Sequence, residues 1–178
     1  ARAYVLYRDE RARARAADGT NKVHPTINVK AADGSLQPLD IGRMEVVVNE
    51  ACAGLIGVAP EAIIEEATRN LYNGVTQQDV NTSLVITARS LVEKEPNYSF
   101  ATARLLMDQL RAEALSYLGL AEQATQTEMN TFYPQALKAY IAKAIELELV
   151  SPVLAEFDLA TLGAAIRPER DTQFNYLG

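Results

Sequence analysis

The sequence predicts a mainly α protein: four amphipathic helices capped by a small β-hairpin, followed by a short helical segment. Three observations carry that prediction. Apolar residues recur at spacings of three and four through most of the chain. A two-residue alternation, Ile27-Asn28-Val29, runs toward an Asp33-Gly34 turn dipeptide. Helix-start and helix-stop residues bracket each apolar stretch.

The 178 residues, 48% of them hydrophobic and none Trp, suffice for one sizeable domain or two small ones. No apolar run approaches the roughly 18–20 residues that span a bilayer. The opening Ala1-Arg2-Ala3-Tyr4 lacks the apolar core and cleavage site of a signal peptide. A single cysteine, Cys52, rules out an internal disulfide framework and a cysteine-rich zinc site. These features predict a cytoplasmic protein with no membrane partner. Net charge is −6, unevenly spread. Residues 1–30 hold seven basic against three acidic side chains, and the rest hold ten against twenty. An acidic body repels phosphate backbones, so nucleic acid is not an expected partner.

Taken in order, residues 2–17 read as one helix whose arginines form a solvated face, ended by Asp18-Gly19. Residues 18–26 read as a linker, with His24 structurally neutral beside a proline. Residues 27–39 form the hairpin, and Pro38 confines its return strand to an edge. Asp40 stands at an N-cap, and Ile41, Met44, Val48, Ala51 and Leu55 make one stripe closed by Gly54 and Gly57. Cys52 lies beside that stripe as a packed hydrophobe. Pro60 starts a second helix with Ile63, Ile64, Ala67 and Leu71, and Asn73-Gly74 stops it. Thr76 and Asp79 predict a capping box for a third helix facing inward through Val80, Leu84, Ala88 and Leu91. After the Glu95-Pro96-Asn97 break, a fourth helix from about Ser99 to Tyr117 carries Ala103, Leu106, Leu110 and Ala114, and Gly119 ends it. Residues 119–131 read as a polar connector. Pro134 is then expected to start a helix with Leu137, Tyr140, Ile141, Ala144 and Ile145. Ser151-Pro152 and Asp158 start two shorter helices, and Arg167-Pro168 ends the last.

Several of these strings coincide with a known module. Val29, Asp33-Gly34, Asp40-Ile41-Gly42-Arg43-Met44, Tyr72-Asn73-Gly74-Val75 and Asp79-Val80 resemble the ATP-cone at the N-terminus of ribonucleotide reductase large subunits. The most specific string is Glu95-Pro96-Asn97-Tyr98-Ser99-Phe100-Ala101-Thr102-Ala103-Arg104-Leu105. The resemblance covers residues 27–118. Residues 132–178, through Tyr133-Pro134-Gln135-Ala136-Leu137 and Arg167-Pro168-Glu169-Arg170-Asp171-Thr172-Gln173-Phe174-Asn175-Tyr176, look like the helical part that leads to the catalytic barrel. Residues 1–17, through Tyr4-Val5-Leu6-Tyr7-Arg8, look like the terminal helix of a preceding cone. A cysteine-bearing transcriptional repressor also carries an ATP-cone, but its four-cysteine zinc ribbon has no counterpart beside Cys52. A bare helical interaction module would share the fold without accounting for the Pro-Asn-Tyr to Arg-Leu string.

The resemblance implies that the longer protein reduces ribonucleoside diphosphates. Its partners would be a small radical-generating beta subunit and other large subunits. It also implies ATP and dATP as allosteric effectors. The candidate nucleotide set carried over is Val29, Lys30, Asp33, Gly34, Gln37, Asp40, Arg43, Gln77 and Asn81. Against the family pattern this set is depleted. A basic pair before the Asp-Gly turn is Ala31-Ala32, an acidic residue is Gln37, and a threonine and histidine are Gln77 and Asn81. A first-helix lysine is Arg43, and a lysine late in the fourth helix is Ala112. Each charge-assisted phosphate contact contributes about 1.5–3 kcal/mol, so losing three costs roughly a thousandfold or more in affinity. The expectation is a vestigial site. Effectors would act at the preceding cone, and this chain would hold no cofactor, metal or catalytic residue of its own. Arg43 with Lys30, Gln77 and Asn81 as an altered but active pocket is the alternative.

Overall fold

The computed structural model describes residues 27–31 and 34–175; the predicted helix over 2–17, the linker with His24, Ala32 and Asp33 lie outside them. Among the described residues the chain is mainly helical, with a three-stranded sheet at one end.

Strands β1 (Asn28–Lys30) and β2 (Leu36–Pro38) pair antiparallel, Val29 opposite Gln37. Gly34 supplies the positive φ of +87° that their turn requires. Pro38, which has no N–H to give, sits in the edge strand as expected. The hairpin gains a third strand that the sequence pattern did not announce. β3 (Val75–Thr76) joins β1 in parallel, Val29 opposite Val75. Two residues are too few for a visible alternation. The Asn73-Gly74 stop is also the clasp that seats them: Asn73 Oδ1 accepts from Asn28 N and Nδ2, both at 2.9 Å, and Gly74 N donates to Asn28 O at 2.7 Å.

Behind the sheet stand α1 (Ile41–Cys52), α2 (Pro60–Asn70), α3 (Gln77–Ser90) and α4 (Tyr98–Tyr117). Their starts follow local chemistry. Asp40 Oδ1 accepts from Arg43 N at 2.8 Å. Thr76 and Asp79 form the reciprocal capping box. One core unites all four helices with the sheet, with Val48, Ile63, Ala67 and Ala88 fully buried.

Two stripes depart from the periodic reading. In α1 the inward positions are Met44, Val47, Val48, Ala51 and Cys52, while Ile41 is 49% exposed at the first turn. In α4 the buried face is Tyr98, Ala101, Ala103, Leu105, Asp108, Arg111 and Leu115; Leu110 is 46% exposed and Ala114 lies on the surface. The helix is rotated because Asp108 and Arg111 compensate each other's charge and can turn inward.

The most specific string of the fourth helix is structural. Asn97 Nδ2 donates to Ile56 O at 2.9 Å, Tyr98 OH accepts from Ala59 N at 3.0 Å, and Arg104 Nη1 donates to Ala51 O at 3.0 Å and Ala53 O at 2.9 Å. All three pin the loop between α1 and α2.

After α4 the chain runs into α5 (Met129–Glu146), which begins before Pro134 and takes that proline inside it. Thr125 and Glu128 bond to each other just ahead of that start. Thr125 N donates to Glu128 Oε2 at 2.7 Å, and Glu128 N donates back to Thr125 Oγ1 at 3.3 Å. These bonds close the turn over 125–128, and the helix opens behind Glu128 without a side-chain cap of its own. Ile141 and Ala144 are buried as the periodicity predicts, whereas Tyr140 is exposed. A 3₁₀ helix over Pro152–Glu156 precedes α6 (Leu159–Ala165), whose N-cap Asp158 accepts from Ala160 N and Thr161 N. α6 lies against α5 so closely that a Cβ on Gly163 would stand 2.9 Å from Pro134 Cα. Pro168 ends the run of α6 and opens a second 3₁₀ helix over Pro168–Gln173, which returns to α4. No described helix is long and apolar enough to cross a membrane.

Candidate functional site

Four of the nine candidate residues converge. Asp40, Arg43, Gln77 and Asn81 line one cavity of about 70 Å³, walled by Leu39, Met44, Val47, Val80, Leu84 and Leu105. Asp108 and Gln123 complete its polar lining. The cavity sits where the N-terminal ends of α1 and α3 approach each other. Such ends attract anions through their unpaired N–H groups. Here carboxylates already occupy them, Asp40 on Arg43 N and Asp79 on Thr76 N.

Four of the other candidates are not among its lining. Val29 is buried under the sheet. Lys30 is exposed, its backbone opposite Thr76. Gly34 and Gln37 lie on the exposed turn and edge strand. Asp33 falls outside the described residues.

Among the described residues Arg43 is the one basic side chain in the cavity lining, and it is already engaged. Its Nη2 lies 3.0 Å from Asp108 Oδ1, in a pair whose side chains are 18% and 10% exposed. Asp108 also faces Arg111 Nη2 at 3.6 Å. Burial pushes the Asp108 carboxyl above its ordinary value, against the downward pull of Arg43 and then Arg111. Gln77 Nε2 donates to Asn81 Oδ1 at 3.0 Å, so one donor and one acceptor of this amide pair are already engaged with each other. The lining therefore carries two carboxylates and one guanidinium, a balance that repels phosphate. Its volume falls below the roughly 300–1,000 Å³ typical of pockets that enclose a small-molecule ligand.

Asp108 and Gln123 escaped the sequence reading. Asp108 was hidden by its charge, since the apolar period points to its neighbours, and its partner Arg43 is 65 positions away. Cys52 is buried, and burial pushes its thiol up to about 11, outweighing the pull of Arg104. It packs as a hydrophobe and is no nucleophile at neutral pH. Among the described residues no His, Cys, Asp and Glu cluster has the makings of a metal site.

A three-stranded sheet capping four helices, with a polar cavity between the helix starts, defines a small, mainly helical domain. Residues 27–113 match the family model for the ATP cone domain, and this part of the chain is an ATP-cone. The whole chain is homologous to N-terminal regions of ribonucleoside-diphosphate reductase alpha subunits. The alpha subunit of Chlamydia trachomatis is 31% identical and that of Chlamydia pneumoniae 32%, each over 100% of this chain. The alpha subunit of Helicobacter pylori is 29% identical over 85% of it. The chain spans 17–18% of the length of these relatives.

Proposed function

We propose that this chain is a regulatory and structural part of a ribonucleoside-diphosphate reductase large subunit, and that its cone has lost ATP and dATP binding. The longer protein would reduce ribonucleoside diphosphates together with a beta subunit, in deoxyribonucleotide synthesis. The cone would act as a spacer and transmitter between a preceding, nucleotide-binding cone and the catalytic body. The observation that carries this reading is the Arg43–Asp108 pair. The lone basic group among the described lining residues is neutralised from within, at 3.0 Å, so a triphosphate would have to displace a buried carboxylate to reach it. The loss of the basic pair at Ala31-Ala32, of Gln37's acidic counterpart and of a lysine at Ala112 acts in the same direction.

Titration calorimetry of ATP and dATP against this chain tests the proposal. The expected result is no saturable heat at sub-millimolar nucleotide, with saturable binding once a preceding cone is supplied in a longer protein. Micromolar binding to this chain alone overturns it. That result would favour a sensor with an altered pocket built from Arg43, Gln77 and Asn81.

A further inference from the structure

Asp108 and Arg111 lie one turn apart on α4, both 7% exposed, and they face different parts of the molecule. Asp108 faces the cavity and holds Arg43. Arg111 faces away from it, and its Nη1 donates to Gln126 Oε1 at 2.7 Å. Gln126 passes the contact on: its Nε2 donates to Pro168 O at 2.7 Å, and its backbone N donates to Glu50 Oε2 on α1 at 2.8 Å. Both ends of the Gln126 amide are thus committed, so its orientation is set by Arg111 on one side and the 168–173 helix on the other.

We propose that Asp108 is the cavity's own internal anion, and that through Arg111 and Gln126 it couples the cavity to the segment 168–173. Physically, one carboxylate is shared between two guanidinium groups. When Arg43 holds Asp108 at 3.0 Å, Arg111 stands off at 3.6 Å and is free to present its other nitrogen to Gln126. An altered Arg43 leaves Asp108 with Arg111 as its single partner and draws the fork toward the cavity. The Gln126 amide then loses its orienting donor, and the Pro168 carbonyl its amide. In a buried setting such charge-assisted bonds are strong, and an ion stripped of its partner is costly, so the elements move together rather than independently. This coupling is independent of whether the cavity admits a nucleotide, so it and the preceding proposal fail separately.

Hydrogen exchange of the whole chain, followed on peptides covering 168–173, tests it. Gln126→Ala is expected to raise exchange there by about tenfold, the size of one charge-assisted link lost. Asp108→Asn removes the carboxylate that positions the Arg111 fork between the cavity and Gln126, and it is expected to raise exchange there by at least about threefold. The double variant should exceed the larger single effect by less than about twofold, because both substitutions act on one link. Arg111→Lys, which keeps the charge beside Asp108 but replaces the fork by one nitrogen, is expected to match Asp108→Asn, and it carries the test if that variant does not fold. Multiplying effects in the double variant overturn the coupling. So does an equal rise in the peptides around Ile63, which would mark general destabilisation, or an unchanged 168–173 in both Asp108→Asn and Arg111→Lys.

Discussion

The cone and the segment after it are held by different forces. The cone rests on one apolar core of seventeen buried residues shared by its sheet and four helices. From the last turn of α4 onward the corresponding cluster is Leu115, Ala124 and Met129. That part is tied back by directional polar contacts instead. Glu50 holds Gln126 and Thr127, Arg104 donates through Nε and Nη2 to Thr172 O at 3.3 and 3.1 Å, and Tyr133 OH donates to Asp171 Oδ2 at 2.6 Å. A non-directional core resists in proportion to its buried area, whereas a clasp fails when one donor is removed. The difference suits a rigid body with a removable attachment.

Substitutions separate the two regimes. The largest effect belongs to the core: Ile63→Ala, at a fully buried position, is expected to cost about 2–5 kcal/mol in denaturant unfolding and to weaken both regions together. Gly163→Ala forces a methyl onto the Pro134 backbone and is expected to cost about 1–3 kcal/mol. Limited proteolysis should then cut beyond residue 146 while the cone survives. Arg104→Gln removes the clamp on Ala51, Ala53 and Thr172, with an expected loss of about 1–2 kcal/mol. If the cone melts with unchanged cooperativity while 168–173 exchanges faster, the clamp serves the attachment; a global loss would assign it to the core. Arg69→Ala, in an exposed triad with Glu65 and Glu66, should change stability by about 0.5 kcal/mol or less.

Cys52 reports on the core without perturbing it. With its thiol pushed up to about 11, the thiolate fraction at pH 8 is about one in a thousand, and burial blocks what remains. A thiol reagent at pH 8 should therefore modify Cys52 only at the rate of unfolding. Because the folded pKa lies above the unfolded one, folding holds the proton on. Stability from this group is complete below its unfolded value and is lost as pH rises toward 11. Rapid labelling of the native chain would show a core looser than its burial indicates.

Much of this architecture was legible because its signals are local. Asp40, the Thr76–Asp79 box, Ser151 and Asp158 cap the helices that follow them, and Gly34, Gly54 and Gly57 take the positive φ that a Cβ would resist. A cap or turn is settled within four residues, so a single sequence suffices to read it. Asp40, Arg43, Gln77 and Asn81 were nameable as a group only through the resemblance to the ATP-cone, which implies nucleotide contacts at those positions.

Other features were decided only by elements meeting in space. β3 becomes a strand because Asn73 and Gly74 dock on Asn28, 45 positions away. The inward face of α4 depends on a pairing in which the long-range charge of Arg43 makes Asp108 tolerable inside, and no helical periodicity carries that information. By itself the sequence determined the four helices of the cone and their caps, and beside the family pattern it showed the depletion of basic groups around the expected site. The tertiary structure alone decided that the remaining arginine is already matched. A buried charge takes the nearest opposite charge that folding supplies, and which charge is nearest is a property of the packed chain.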